Sequence, residues 1–224
     1  MQTQPKAKSE LEFIALMAFL MANAALSIDA ILPGLNGIGT SLNVVADNDL
    51  QLIITMILVG LGVGQLFFGT LSDSFGRKPM IYAGMITFIC ASFICVTAES
   101  LTVMLIGRVL QGVGLSAPRS ISVSIIRDAY SGNDMARIMS FITVVFILVP
   151  MVAPLIGQFI LDYYSWQYIF GFQIGFILLV MLWFGIRQEE TLKIENKKKF
   201  SIGLFSDGVK IFFGIKKTVI YTII

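Results

Sequence analysis

Gly69-Thr-Leu-Ser-Asp-Ser-Phe-Gly-Arg-Lys-Pro79 is a short charged segment wedged between two long apolar runs. Asp73, Arg77 and Lys78 stand where a hydrophobic helix has just ended. Gly76 permits a tight turn with φ > 0, and Pro79 suits the first turn of the next helix, where a backbone N–H has no intrahelical partner to lose. The surrounding chain makes the same point in bulk. Of its 224 residues 56% are hydrophobic and 13% charged, with a mean hydropathy of +0.85, against roughly 45–50% and 25% in a soluble domain. A helix needs about 20 predominantly apolar residues to cross about 30 Å of hydrocarbon. The chain therefore reads as an all-α, polytopic membrane bundle, with spans expected near Phe13–Ile38, Leu50–Leu71, Pro79–Ala98, Leu101–Ile126, Met135–Leu161 and Trp166–Ile186.

Orientation follows from the basic residues. Of the 16 Lys and Arg, Arg108 and Arg119 fall inside the fourth span, and all the others lie in alternate segments: Lys6 and Lys8, Arg77 and Lys78, Arg127 and Arg137, and everything from Arg187 onward. The positive-inside rule places those segments, and with them the N-terminus, in the cytoplasm. Tyr163, Tyr164 and Trp166 then fall in the outer interfacial belt. Residues 1–12 read as a cytoplasmic N-terminus, 13–186 as a six-helix domain, 187–217 as a charged cytoplasmic linker, and 218–224 as the start of a truncated seventh helix.

The same inventory narrows the chemistry. With no histidine, proton transfer would fall to carboxylates. Cys90 and Cys95 lie five apart in one apolar helix and read as small core residues, neither a disulfide nor a metal pair. No nucleophile-and-base set, nucleotide loop or metal-ligand cluster points to an enzyme or a cofactor. The basic residues flank membrane spans and form no nucleic-acid-binding face.

Ionisable and polar residues within the spans are the candidates for function, because a charge at membrane depth costs several kcal/mol unless it faces the bundle interior or water. Asp29, in Leu26-Ser-Ile-Asp-Ala-Ile-Leu-Pro33, is one; Pro33 and Gly34 point to local unwinding that lets backbone line a cavity. Arg108 lies at a similar depth in the fourth span and is expected to pair with Asp29. Gln111, one turn from Arg108, Asn23 and Arg119 are candidates for a substrate cavity. Gly112 and Gly114 read as close helix packing. In the fifth span Pro150, Pro154 and Gly157 bend a helix and flatten one face. Arg127, Asp128, Asp134 and Arg137 are expected to form an exposed ion-pair cluster able to latch helix ends.

The segment 69–79 resembles the loop between helices 2 and 3 of the major facilitator superfamily, G-x-L-a-D-r-x-G-r-k. Gly107-Arg-Val-Leu-Gln-Gly-Val-Gly114 resembles that family's fourth-helix R-x-x-q-G-x-g motif. Val149-Pro-Met-Val-Ala-Pro-Leu-Ile-Gly-Gln158 resembles the antiporter motif g-x-x-x-G-P-x-x-G-G, with Ala153 and Gln158 in place of expected glycines. Ile125–Ser140, together with Ser-Ile-Asp-Ala-Ile-Leu-Pro, is similar to the Bcr/CflA branch of drug:proton antiporters. The resemblance implies the N-terminal half of a fold built from 3+3 inverted repeats, in a bacterial inner membrane. It implies proton-coupled efflux of small amphipathic compounds, with Asp29 and Arg108 coupling protons and Gly69, Asp73, Gly76, Arg77 and Lys78 gating conformational change. The lipid bilayer, protons, substrate and a missing C-terminal six-helix half are the implied partners. Export or import of a specific metabolite is the alternative on the same scaffold, and a truncated, non-transporting membrane protein or assembly subunit is the alternative from another class.

Overall fold

A computed structural model describes residues 9–44 and 46–192. Lys6, Lys8, the linker beyond residue 192 and the expected seventh helix lie outside the described residues. Among the described residues six apolar helices are long enough to cross a membrane, in the register that the hydropathy predicts. The first is interrupted: α1 (Glu10–Asp29) gives way to a 3-10 turn at Leu32–Gly34 and then to the short α2 (Leu35–Ser41). Pro33, which lacks the N–H that would continue α1, sits in that turn. The other spans are α3 (Asp47–Phe75), α4 (Arg77–Val96), α5 (Leu101–Ala129), α6 (Gly132–Tyr163) and α7 (Gln167–Arg187). Side chains start several of them: Ser9 Oγ accepts from Glu12 N, and Ser100 Oγ from Val103 N.

The charged segment is less of a loop than its composition implies. Helix α3 continues through Gly69 and Asp73 to Phe75, and α4 opens at Arg77 with Pro79 in its first turn. Gly76 alone reverses the chain, at φ 113° and ψ 155°, a region closed to residues with a Cβ.

Helix α5 is the centre of the bundle, packed between α3 and α4. Lipid tails are as apolar as the helix surfaces, so association relies on close van der Waals approach through small residues. Gly60 and Gly112 supply it between α3 and α5: a Cβ on Gly60 would collide with the Val109 carbonyl oxygen, and one on Gly112 with that of Ile57. Gly114 meets α4 in the same way, at the Gly84 carbonyl and the Phe88 amide. Close packing is thus the role of Gly112 and Gly114. Cys95 is buried in the core, whereas Cys90, expected there as well, is exposed. Five positions along a helix is 500°, which turns the second cysteine some 140° from the first.

Helix α6 lies against α1 and is the least buried span, with Phe141, Ile147, Met151 and Leu155 all exposed. It runs unbroken through Pro150 and Pro154. Gly157 lets it press onto the interruption of the first span, because a Cβ there would strike the Ala30 carbonyl oxygen.

Two glycines of α3 separate packing from propensity. Gly60→Ala should lower the melting temperature of the detergent-solubilised protein, because the backbone of α5 must move away, an overpacking cost of about 1–3 kcal/mol. Gly62, with nothing within 4 Å of its would-be Cβ, should accept alanine with an unchanged or slightly higher melting temperature, since Ala favours helix over Gly by about 1 kcal/mol.

Candidate functional site

Two polar constellations stand out from the apolar bundle, one in its interior and one at its basic end. The interior one is built on Arg108, whose side chain is fully buried. Its Nη2 donates to the Ser27 carbonyl oxygen at 3.2 Å, its Nε to the Ile53 carbonyl oxygen at 3.0 Å, and its Nη1 to Gln111 Oε1 at 2.9 Å. The guanidinium also lies 5.8 Å from the Phe170 ring centroid, within cation–π range. Gln111 passes the network on, donating from Nε2 to Ser92 Oγ at 2.7 Å, and Ser92 donates to the Phe88 carbonyl oxygen at 2.8 Å. One cluster thereby ties together α1, α3, α4, α5 and α7.

Ser27 explains why Arg108 sits there. The last carbonyls of an α-helix lack intrahelical donors, and α1 ends at Asp29 inside a membrane span. The Ala30 N–H returns to the Leu26 carbonyl oxygen; the Ser27 carbonyl is satisfied by Arg108. A cation at the negative end of the helix dipole is favourable there.

The expected Asp29–Arg108 ion pair is not formed. Asp29 is partly exposed, and among the described residues it has neither an ion-pair nor a hydrogen-bond partner. It follows Ser27 by two positions, which turns its side chain about 200° away from that of Ser27, and Ser27 is on the buried face. Neutral acceptors take the place of the carboxylate.

The cavity candidates are also more enclosed than expected. Gln111 is fully buried and Asn23 is 2% exposed; Asn23 donates from Nδ2 to the Phe19 carbonyl oxygen at 2.8 Å. Gln111 joins α5 to α4, Asn23 bonds back onto its own helix, and neither lines the apolar groove of the bundle. Arg119 is half-buried, with its guanidinium 5.5 Å from the Phe146 ring centroid. A groove of about 240 Å³ does open between α1, α6 and α7, walled by Phe19, Leu26, Val149, Ile156, Phe172 and Phe176, an apolar lining throughout.

At the basic end, Arg77 is 4% exposed and joins two acids. Its Nη1 donates to Asp73 Oδ1 at 2.5 Å and to Ser72 Oγ at 2.6 Å, and its Nε to Asp128 Oδ2 at 3.3 Å. Asp128 therefore pairs across helices with Arg77, and Arg137 with Glu10 at 2.5 Å. This corrects the expected cluster of Arg127, Asp128, Asp134 and Arg137: α5 and α6 diverge from their short connection, and Asp128 and Arg137 each meet an opposite charge on a third helix. Among the described residues nothing lies within 4 Å of a would-be Cβ on Gly69.

Glu190 completes the knot and was not among the residues expected from sequence. Its two carboxylate oxygens accept the Arg77 and Lys78 backbone N–H groups, each at 3.0 Å. A carboxylate on the first amides of α4 satisfies orphan donors and complements the helix dipole. Lys78 reciprocates, donating from Nζ to the Gly185 and Gln188 carbonyl oxygens at 2.9 and 2.6 Å at the end of α7. Sequence signals for a cap look a few residues upstream, whereas Glu190 arrives from more than a hundred residues away. Nearby, Glu12 accepts from Arg187 Nε at 2.7 Å and from Trp183 Nε1 at 3.3 Å. Tyr130 packs its ring 5.4 Å from that of Phe13; burial, and after it the negative charge of Glu10, pushes the Tyr130 hydroxyl above the ordinary phenol range.

Comparison with known proteins agrees with this architecture. Residues 12–223 match the family model described as Major Facilitator Superfamily. The chain is 34% identical over 203 residues to an uncharacterized MFS-type transporter, YdgK, of Bacillus subtilis, covering 89% of this chain and 50% of that protein. It is 33% identical over 192 residues to a bicyclomycin resistance protein homolog of Haemophilus influenzae, covering 85% of this chain and 48% of the relative. With the multidrug resistance protein MdtL of Salmonella paratyphi C it shares 31% identity over 176 residues, 73% of this chain and 44% of the relative. The chain thus spans about half the length of the curated relatives it matches. Among solved structures, the proton:xylose symporter XylE superposes with a TM-score of 0.72 at 15% identity over 89% of this chain and 51% of that one. At that identity the likeness concerns the fold. The six-span helical architecture, the family model and the bicyclomycin- and multidrug-resistance relatives together make this chain a member of the major facilitator superfamily, a multi-pass membrane protein.

Proposed function

We propose that the chain forms the N-terminal half of a proton-coupled exporter of small amphipathic compounds, working by alternating access in a bacterial inner membrane with its N-terminus in the cytoplasm. The observation that carries this reading is the fully buried Arg108, held by neutral acceptors at the very end of α1 that presents the unpaired, partly exposed Asp29. A buried guanidinium facing no countercharge is costly, and a carboxylate a few residues from its carbonyl partner is the nearest means of relief.

The mechanism then follows from competition for one cation. With Asp29 protonated, Arg108 would keep its bonds to the Ser27 and Ile53 carbonyls. With Asp29 ionised, reshaping the interruption at Ala30–Pro33 would bring carboxylate and guanidinium together, and α1 and α2 would shift relative to α3. Protonation thereby biases a two-state element, and any substrate binding one state better shifts the same equilibrium. Substrate would bind at the midplane between this bundle and a second six-helix half, a partner consistent with the doubled length of the relatives. The bicyclomycin- and multidrug-resistance names of two relatives support small amphipathic cargo.

The knot of Asp73, Arg77, Lys78, Asp128 and Glu190 fits a gating role. It binds the basic ends of α3, α4, α5 and α7 into one body, so that this half moves as a unit against the other.

Asp29→Asn should reduce drug-driven proton release from vesicles bearing the intact transporter to background, with Asp29→Glu retaining a measurable fraction. Proton release at the normal rate in the Asn variant would exclude Asp29 as the coupling group. For the gate, Asp73→Asn and Glu190→Gln should each slow transport several-fold with substrate affinity close to normal. A large loss of affinity in equilibrium binding would show a damaged binding site in place of a slowed conformational step.

A further inference from the structure

Gln173 is a polar side chain that nothing above uses. It lies about two turns into α7, is 1% exposed, and neither its Nε2 nor its Oε1 has a hydrogen-bond partner among the described residues. An unsatisfied amide in an apolar interior costs several kcal/mol, and buried groups of this kind are commonly satisfied by an internal water making about three hydrogen bonds.

Two independent registers set Gln173 at the level of the Arg108 cluster. Helices α5 and α7 are separated by α6 alone in chain order, so they cross the bundle in the same direction. Arg108 and Phe170 are in contact, and three residues further along each helix stand Gln111 and Gln173, at the same level. Helix α4 runs antiparallel to α7, with Lys78 opposite Gly185 and Gln188, and Tyr82 opposite Met181. Continuing that register at 1.5 Å per residue puts Ser92 opposite the turn that holds Gln173. Ser92 faces the core and is fully buried, as is Gln111, whose amide it accepts. Gln173 lies on the buried face of α7 that Phe170, Ile177, Val180 and Phe184 define.

We propose that a single buried water bridges Gln173 and Ser92, making Gln173 the fourth polar member of the Arg108–Gln111–Ser92 cluster. The water donates one hydrogen to Gln173 Oε1 and the other to Ser92 Oγ, whose remaining lone pair is free to accept, and it accepts from Gln173 Nε2. The cluster then reaches α7 by hydrogen bonding as well as through the Phe170 ring, and its far end is a mobile, polarisable molecule in place of a fixed side chain. The inference concerns the bundle itself and is independent of which substrate or ion the protein carries.

Hydroxyl-radical footprinting of the intact protein in detergent tests it directly, because radicals formed from an internal water label side chains that bulk solvent does not reach. Phe88 and Phe170 are fully buried and lie one helical turn from Ser92 and Gln173 respectively. The expected result is labelling of at least one of these rings, lost in Gln173→Met. No labelling of either ring, or labelling that persists unchanged in the variant, overturns the proposal. Thermal unfolding gives a second readout. Gln173→Met should lower the melting temperature, and in combination with Ser92→Ala the loss should be less than the sum of the two single losses, as for two ligands of one water. A melting temperature raised by Gln173→Met, or strictly additive losses, would mean an amide with no bridge to Ser92 and would refute the site. If a variant does not fold, the footprint of the unsubstituted protein alone decides.

Discussion

A guanidinium on the open end of a helix, deep in an apolar bundle, is the constraint on which the rest of this structure depends. Breaking α1 within the membrane leaves carbonyls without donors, and burying Arg108 leaves a cation without water. Each defect alone would be expensive. Placed together, with the Ile53 carbonyl, Gln111 and the Phe170 ring completing the shell, they become the polar centre to which every span except the fifth is attached. Coupling the two also makes them interdependent, so the geometry of the interruption and the state of the arginine cannot change separately.

The basic end of the bundle solves a related problem with surface chemistry. Glu190 on the first amides of α4 and Lys78 on the last carbonyls of α7 are reciprocal caps between the same two helices, reinforced by the Arg77 bridge from Asp73 to Asp128. Exposed ion pairs contribute little individually, but Arg77 is nearly enclosed and its partners come from separate helices. Braced at the centre and at one end, the bundle is built to resist internal deformation.

Much of this was legible in the residues. The six apolar runs, the basic alternation, the Gly76 turn and the singular positions of Asp29 and Arg108 are local properties, and composition and spacing report them well. What Arg108 binds is not local. Its main acceptors are backbone carbonyls at Ser27 and Ile53, and a carbonyl looks the same in every residue, so a reading built on side chains reaches for Asp29. Glu190 was hidden for a parallel reason: its role as a cap is visible only when α7 has been folded back beside α4. Ser92 and Gln173 read as ordinary small and polar residues in apolar helices until the register of three helices sets them at one level.

Gly157 deserves a mechanical reading. Its missing side chain seats α6 directly on the Ala30 peptide, so the span with the fewest ties to the polar centre rests against the one place where the first span is unwound. Backbone touching backbone leaves no rotamer to absorb a displacement. A change of shape at the interruption would therefore bear directly on α6, whose other flank is a bare apolar surface.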